Sequence, residues 1–262
     1  MTSSHKSQEA PASQPLVLSV ERVKKSFGGQ TVLSDLSLAV REGELVSLLG
    51  LSGAGKTTLF NIIAGLGRPD SGRVLLRGTD RTGQAGYVSY MLQKDLLLPY
   101  KTVLDNIALP LVIRGEKKER ARSKALAHFA AFGLEGTQHK YPGQLSGGMR
   151  QRSALLRTYL FSSDLALLDE PFSALDPITK SAMHRWFLGI MEEIRLTTLF
   201  ITHDVEEAIL LSDRVLILAG TPAHIAFEVT IQEPKPRRQD FPLCAEFLAY
   251  KREILGHLLS KE

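Results

Sequence analysis

LVSLLGLSGAGKTTLFNIIAGL, residues 45–66, decides the fold. Leu45–Leu49 is a short, continuous apolar run, the pattern of a strand buried on both faces. Gly50-Leu51-Ser52-Gly53-Ala54-Gly55-Lys56-Thr57 matches G-x-x-x-x-G-K-[ST] in full, and Thr57–Leu66 reads as a helix that stops at Gly65–Gly67. Strand, glycine turn and helix in that order are the context a phosphate-binding loop needs. The glycines let the backbone turn tightly, so that successive N–H groups point inward at phosphate oxygens. The helix opening near Lys56 adds the positive end of its dipole. Lys56 supplies a compact cation for the β and γ phosphates, Thr57 a hydroxyl for Mg2+, and Thr58 a further phosphate contact. A chance glycine turn would leave the flanking strand and helix unexplained.

Strands are expected upstream at Leu16–Val23 and Val32–Val40, either side of a Gly28–Gly29 turn, and downstream at Arg73–Arg77 and Ala85–Tyr90. From Val103 to Ser162 helical periodicity dominates, with helices expected at Val103–Ile113, Glu116–Phe132 and Gly147–Phe161. Beyond it come a buried strand at Leu165–Leu168, a helix at Ser181–Arg195, a strand at Thr198–Ile201, a helix at Val205–Ser212 and a strand at Arg214–Leu218. Alternating strands and helices predict a mostly parallel α/β sheet covered on both faces, with the all-helical stretch as an inserted subdomain. A last strand at Ala223–Ile231, a "PKPRR" linker and a helix at Leu243–Leu259 complete the chain.

Leu165–Glu170, "LALLDE", ends an apolar strand in two carboxylates. Ligands of open α/β sheets bind outside the carboxyl ends of the strands, which brings Asp169 to the same end as the glycine loop, within reach of a Mg2+ shell. Glu170 is the better placed of the two to polarise a water for attack on a γ-phosphate. A helix cap or turn would use the same residue types, so the pair takes its meaning from Lys56 upstream.

A second glycine loop, "LSGGMRQR" at Leu145–Arg152, stands nearly a hundred residues after the first. With it, the chain resembles the ATP-binding-cassette (ABC) ATPases, whose signature this is, over about residues 16–220. The resemblance implies an α/β fold: a P-loop NTPase core with a mostly parallel sheet, an N-terminal antiparallel β-subdomain and a helical subdomain at about 94–162. It also implies ATP and Mg2+ as ligands. It places Phe27 of "KKSFGG" against the adenine base, where ordinary strand packing is the other use of such a ring. It gives Gln93 of "YMLQKD" to Mg2+ and the attacking water, and His203 of "FITHD" to the γ-phosphate. Ser146, Gly147 and Gly148 correspond to the signature contacts. Ser173-Ala174-Leu175-Asp176 corresponds to the loop that meets an opposing subunit, although Asp176 also suits a helix N-cap. In this family two chains stack head to tail, so that each ATP lies between the Lys56 loop of one copy and the Ser146 loop of the other.

"QKDLLLPYKTVLDNIALPL" resembles the ATPases of importers for nitrate, sulfonates, taurine and aminopyrimidines. The resemblance implies an ATP-hydrolysing importer subunit, working as a homodimer or with a paired ATPase. Transmembrane permease subunits and an extracytoplasmic solute-binding protein would complete the complex, at the cytoplasmic face of the cell membrane. A soluble assembly factor or switch, and an exporter ATPase, are the competing readings. The apolar run Leu96–Tyr100 is either a docking surface for a membrane partner or packing inside the helical subdomain.

Composition is compatible with all this. The 262 residues are 44% hydrophobic, enough for one large domain. The net charge is +4, and the one basic cluster, "RGEKKERARSK" at 114–124, alternates with Glu as a solvated helix face does, which argues against nucleic-acid binding. A single cysteine, Cys244, rules out an intrachain disulfide. No run of eighteen apolar residues exists, and residues 1–15 read as a disordered, Ser/Pro/Gln-rich tail without a signal-peptide core, so an intracellular protein is expected.

Overall fold

The computed structural model describes residues 14–161 and 164–259; most of the tail expected at 1–15 lies outside them. A six-stranded sheet carries the molecule: β3 (Leu45–Gly50), β6 (Ser89–Met91), β7 (Ala166–Asp169), β8 (Thr198–Thr202), β9 (Arg214–Ala219) and β10 (His224–Thr230). Their order is β10-β9-β3-β8-β7-β6. All neighbours run parallel except β10, an antiparallel edge. β3, β7 and β8 are buried along their whole length, as the apolar runs require of a sheet covered on both faces.

Alternation splits these strands between two cores. Val46, Leu48, Leu167 and Leu199 face a cluster formed with α1 (Lys56–Ile63) and an antiparallel sheet. That second sheet has the order β2-β1-β4-β5, from β1 (Leu16–Phe27), β2 (Gln30–Arg41), β4 (Ser71–Leu76) and β5 (Thr79–Asp80). Leu45, Ala166, Leu168 and Phe200 face the helical side: α2 (Val103–Ile113), α3 (Lys118–Leu126), α4 (Gly147–Phe161) and α5 (Pro177–Ile194). A third cluster joins Leu49 and Ile217 to Ile209 of α6 (Val205–Leu211) and to Phe247 and Ile254 of α7 (Ala245–Leu259).

Several expected boundaries move. β1 runs on past Val23 to Phe27, because bulges at Arg22 and beyond interrupt the two-residue alternation; Arg22 has φ 46°. The strand expected over Ala85–Tyr90 is only Ser89–Met91. The helix expected over Glu116–Phe132 ends at Leu126, where the bonds shorten to His128 N–H to Ala125 O and Phe129 N–H to Leu126 O. Phe129 and Phe132 stay buried there, so the apolar period continues while the helix does not. α5 begins four residues before the expected start, with Pro177 in its first turn and Asp176 accepting from Thr179 N–H at 3.0 Å. "PKPRR" is no loose linker: Arg237 is buried and donates to the Ser212 and Leu210 carbonyls at the end of α6, and Lys235 Nζ lies 2.8 Å from Asp213 Oδ2.

Candidate nucleotide site

The parallel order β3-β8-β7-β6 brings four loops together at the carboxyl ends of the strands: the glycine loop after β3, His203 after β8, Asp169–Glu170 at β7 and Gln93 after β6. The glycines are demanded locally. A Cβ on Gly50 would lie 2.8 Å from Leu218 O, and one on Gly55 2.9 Å from Leu33 Cδ2. Gly53 and Gly55 have φ of 80° and 87°, a region open to glycine and costly for other residues. Lys56 folds back so that Nζ donates to Gly50 O at 2.7 Å and Leu51 O at 2.8 Å. Burial lowers its pKa, while Glu170 and Asp169 act in the opposite sense.

The loop walls a cavity of about 430 Å³ lined by Ser52, Gly53, Gly55–Thr58, Gln93, Asp169 and Glu170. Ala54 packs into the core behind it, its N–H bonded to Leu51 O. Glu170 is held at both oxygens: Gln93 Nε2 donates to Oε2 at 3.1 Å, and His203 Nδ1 lies 3.2 Å from Oε1. Its backbone has φ 46°, unusual for a non-glycine residue. Burial first, then the charge of Glu170, raise the pKa of Asp169, and only Tyr90 and Lys56 oppose them. Two successive carboxylates against one lysine leave the cavity short of positive charge. Oxygen donors from Thr57, Gln93 and Asp169 line it, a set of hard ligands suited to Mg2+ together with substrate phosphates.

Other expected residues stand apart from the cavity lining. Phe27 ends β1 and is 56% exposed, with Lys25 Nζ over its ring at 5.1 Å from the centre, so an exposed aromatic surface is available to a flat partner. Ser146 caps α4, its Oγ accepting from Met149 N–H at 3.3 Å. A Cβ on Gly147 or Gly148 would meet nothing nearer than 3.5 Å, so the packing of this chain does not require glycine at either position. Ser173 Oγ donates to Glu170 O at 3.0 Å, and Asp176 is exposed. The apolar run divides: Leu97 is buried, whereas Leu96 and Tyr100 are 52% and 72% exposed.

Two contributors escaped the sequence reading. The Tyr90 hydroxyl approaches Asp169 Oδ2 at 3.5 Å, with its ring edge-on to Phe60 of α1. Arg157 of α4 donates to the Asp95 and Leu96 carbonyls and pins the segment after Gln93, while Arg150 Nε lies 3.3 Å from Asp95 Oδ2. Neither pairing has a local signal, since each joins residues tens of positions apart.

Glycine loop, acidic strand end, glutamine and histidine at the carboxyl ends of neighbouring parallel strands, with a capped second glycine loop apart from them at the start of α4, define an ATP-binding cassette. The ABC transporter family model matches residues 33–173, and the chain belongs to that family. It is 44% identical over 225 residues to the formylaminopyrimidine import ATP-binding protein ThiZ of Halalkalibacterium halodurans, covering 86% of this chain and 88% of the relative. It is 41% identical over 252 residues to the aliphatic sulfonates import ATP-binding protein SsuB 1 of Rhodococcus jostii, covering 96% and 97%. Among solved structures it resembles the dimeric MJ0796, a bacterial ABC transporter cassette, with TM-score 0.70 and 28% identity over 82% of this chain and 99% of the other.

Proposed function

We propose that this chain is the ATP-hydrolysing subunit of an ABC importer, acting as a pair of cassettes on separate membrane subunits. The observation that carries the reading is Glu170, gripped by Gln93 and His203 over the Lys56 cavity. Gly50, Ser52, Gly53, Ala54 and Gly55 shape the loop whose N–H groups take the phosphates, and Lys56, Thr57 and Thr58 add side-chain contacts. Lys56 gives up its two carbonyl acceptors for the β and γ phosphates, a move its burial favours. Phe27 stacks on the adenine. Thr57, Gln93 and Asp169 hold Mg2+, which when bound neutralises charge on the terminal phosphates.

Glu170 orients a water and accepts its proton as the water oxygen bonds to the γ-phosphorus and the bond to the β–γ bridging oxygen breaks. His203 donates to the γ-phosphate while keeping Glu170 aimed. Ser146, Gly147 and Gly148 of a second copy close the site, and their backbones approach closely because they carry no bulk. Ser173 and Asp176 meet that copy. Loss of phosphate removes these contacts and lets the pair open. Each charge-assisted bond is worth roughly 1.5–3 kcal/mol, so a handful shifts the association by decades.

Import is supported by the relatives, which are import ATP-binding proteins. Among the described residues no helix is long and apolar enough to cross a membrane. Permease subunits are the partner this reading calls for, and Leu96 and Tyr100, a few residues after Gln93, are the surface offered to them. An extracytoplasmic binding protein delivers the solute, and the cassette works at the cytoplasmic face. Size exclusion of Glu170→Gln tests the site: with MgATP it elutes as a dimer, and elution as a monomer at saturating nucleotide refutes the two-copy site. Co-purification with a multi-span membrane protein tests the transport role, and its absence after co-expression favours a soluble switch.

A further inference from the structure

Away from the cavity, four ionisable side chains meet between α5 and α6. Lys180 Nζ lies 2.7 Å from Asp204 Oδ2 and 2.9 Å from Glu207 Oε2, and His184 Nε2 lies 3.2 Å from that same Glu207 oxygen. Lys180 and His184 are one turn apart on α5; Asp204 caps α6 and Glu207 is in its first turn. Glu207 and His184 are buried, with the Phe172 ring edge-on to His184 at 4.9 Å. Burial alone would raise the Glu207 pKa, yet bonds from His184 and Lys180 hold it below its usual range. Apolar side chains would join two helices without the desolvation cost of such a cluster, so its charge calls for a role that packing does not supply.

That role is legible at Asp204. Its Oδ1 accepts from Glu206 N–H at 3.0 Å and Glu207 N–H at 3.2 Å, its Oδ2 takes Lys180, and its own N–H donates to Thr202 Oγ1 at 3.0 Å. The residue following His203 is therefore anchored from several directions. The His203 side chain is 58% exposed, so its place against Glu170 depends on the backbone that carries it. At the other end, Lys180 N–H donates to Asp176 O at 2.8 Å, in the turn that Asp176 caps. An unbroken path thus runs from the 173–176 loop through Lys180 and Asp204 to His203 and Glu170.

We infer that the Lys180–Asp204 pair is a strut that sets His203 against Glu170. Lys180 and Asp204 are then positioning residues for ATP hydrolysis. The inference rests on the roles of Glu170 and His203 given under Proposed function.

The test uses the full chain, with steady-state ATP hydrolysis, binding of a fluorescent ADP analogue and thermal unfolding. Lys180→Met is expected to lower kcat about ten- to a hundredfold, the range for a displaced positioning group. KM for ATP and analogue affinity should stay within about twofold, because the cavity is intact. Lys180→Arg should restore kcat to within about threefold of the parent, since a cation again reaches Asp204. Asp204→Asn keeps the capping oxygen but turns an amide toward Lys180, and it should reproduce the kcat loss. That variant replaces Lys180→Met if the latter does not fold. A kcat within twofold of the parent for both variants overturns the strut, as does a Lys180→Arg protein as slow as Lys180→Met. His203→Ala separates the two levels. If it turns over normally, the site reading falls and the strut with it; if it is inactive while Lys180→Met and Asp204→Asn are normal, only the strut falls.

Discussion

Gly147→Ala should make this chain more stable and less active. The backbone at Gly147 lies outside the left-handed region, and an added Cβ would find Leu175 Cδ2 at 3.5 Å and Arg150 Nη2 at 4.0 Å, ordinary contact distances. Alanine in place of a mid-helix glycine gains roughly 0.5–1 kcal/mol; at the first position of α4 about 0.5 kcal/mol is reasonable. For a chain of this size that raises the unfolding midpoint by about 1–2 °C. The same methyl group stands where a second copy must bring its nucleotide against the N–H groups of α4. A loss of at least tenfold in turnover, about 1.4 kcal/mol of barrier, is expected. Phosphate release and thermal unfolding on one preparation measure both. Turnover within twofold of the parent refutes the close approach. A midpoint lowered by several degrees would mean that the glycine serves this chain's own packing and is not reserved for a second copy.

Lys56→Ala should abolish ATP binding in equilibrium titration; normal turnover by that variant would remove the phosphate cradle from the account. Asp105 offers a pH test: Arg122 grips it with two bonds at 2.7 and 2.8 Å and holds its pKa below the usual carboxylate value. A depressed folded-state pKa stabilises above the unfolded value near ~3.9 and loses that contribution as pH falls through the folded one. Asp105→Asn should therefore narrow the stability difference between pH 6 and pH 3 by less than about 1 kcal/mol, Arg122 being 40% exposed, and denaturant unfolding at the two pH values measures it.

The phosphate loop was legible from its glycine motif between strand and helix, the parallel core strands from their short apolar runs, and α2 and α4 from their helical period. In the structure Thr102 and Ser146 cap α2 and α4, and both helices keep their expected bounds. α3 shows where periodicity misleads: Phe129 and Phe132 keep the apolar rhythm past the end of the regular helix, where i−3 and i−4 bonds mix, since burial constrains side chains and not the hydrogen-bond pattern. β1 is the reverse, a continuous strand whose bulges break the rhythm. In the site, the two carboxylates were read from the apolar strand they end, and the glutamine and the histidine only from the family resemblance. Their convergence on Glu170 was not legible, because it depends on the order in which strands assemble. Lys180, Asp204 and Glu207 carried no sign at all: their pairing exists only once α5 lies beside α6.

Glu170 holds a backbone shape that glycine or asparagine would adopt at lower cost, and glycine there would relieve about 1 kcal/mol. Selection for heat resistance and selection for turnover therefore pull this position in opposite directions. A library enriched only for survivors of heating should drift toward small residues at 170 and collect cassettes that endure but do no work.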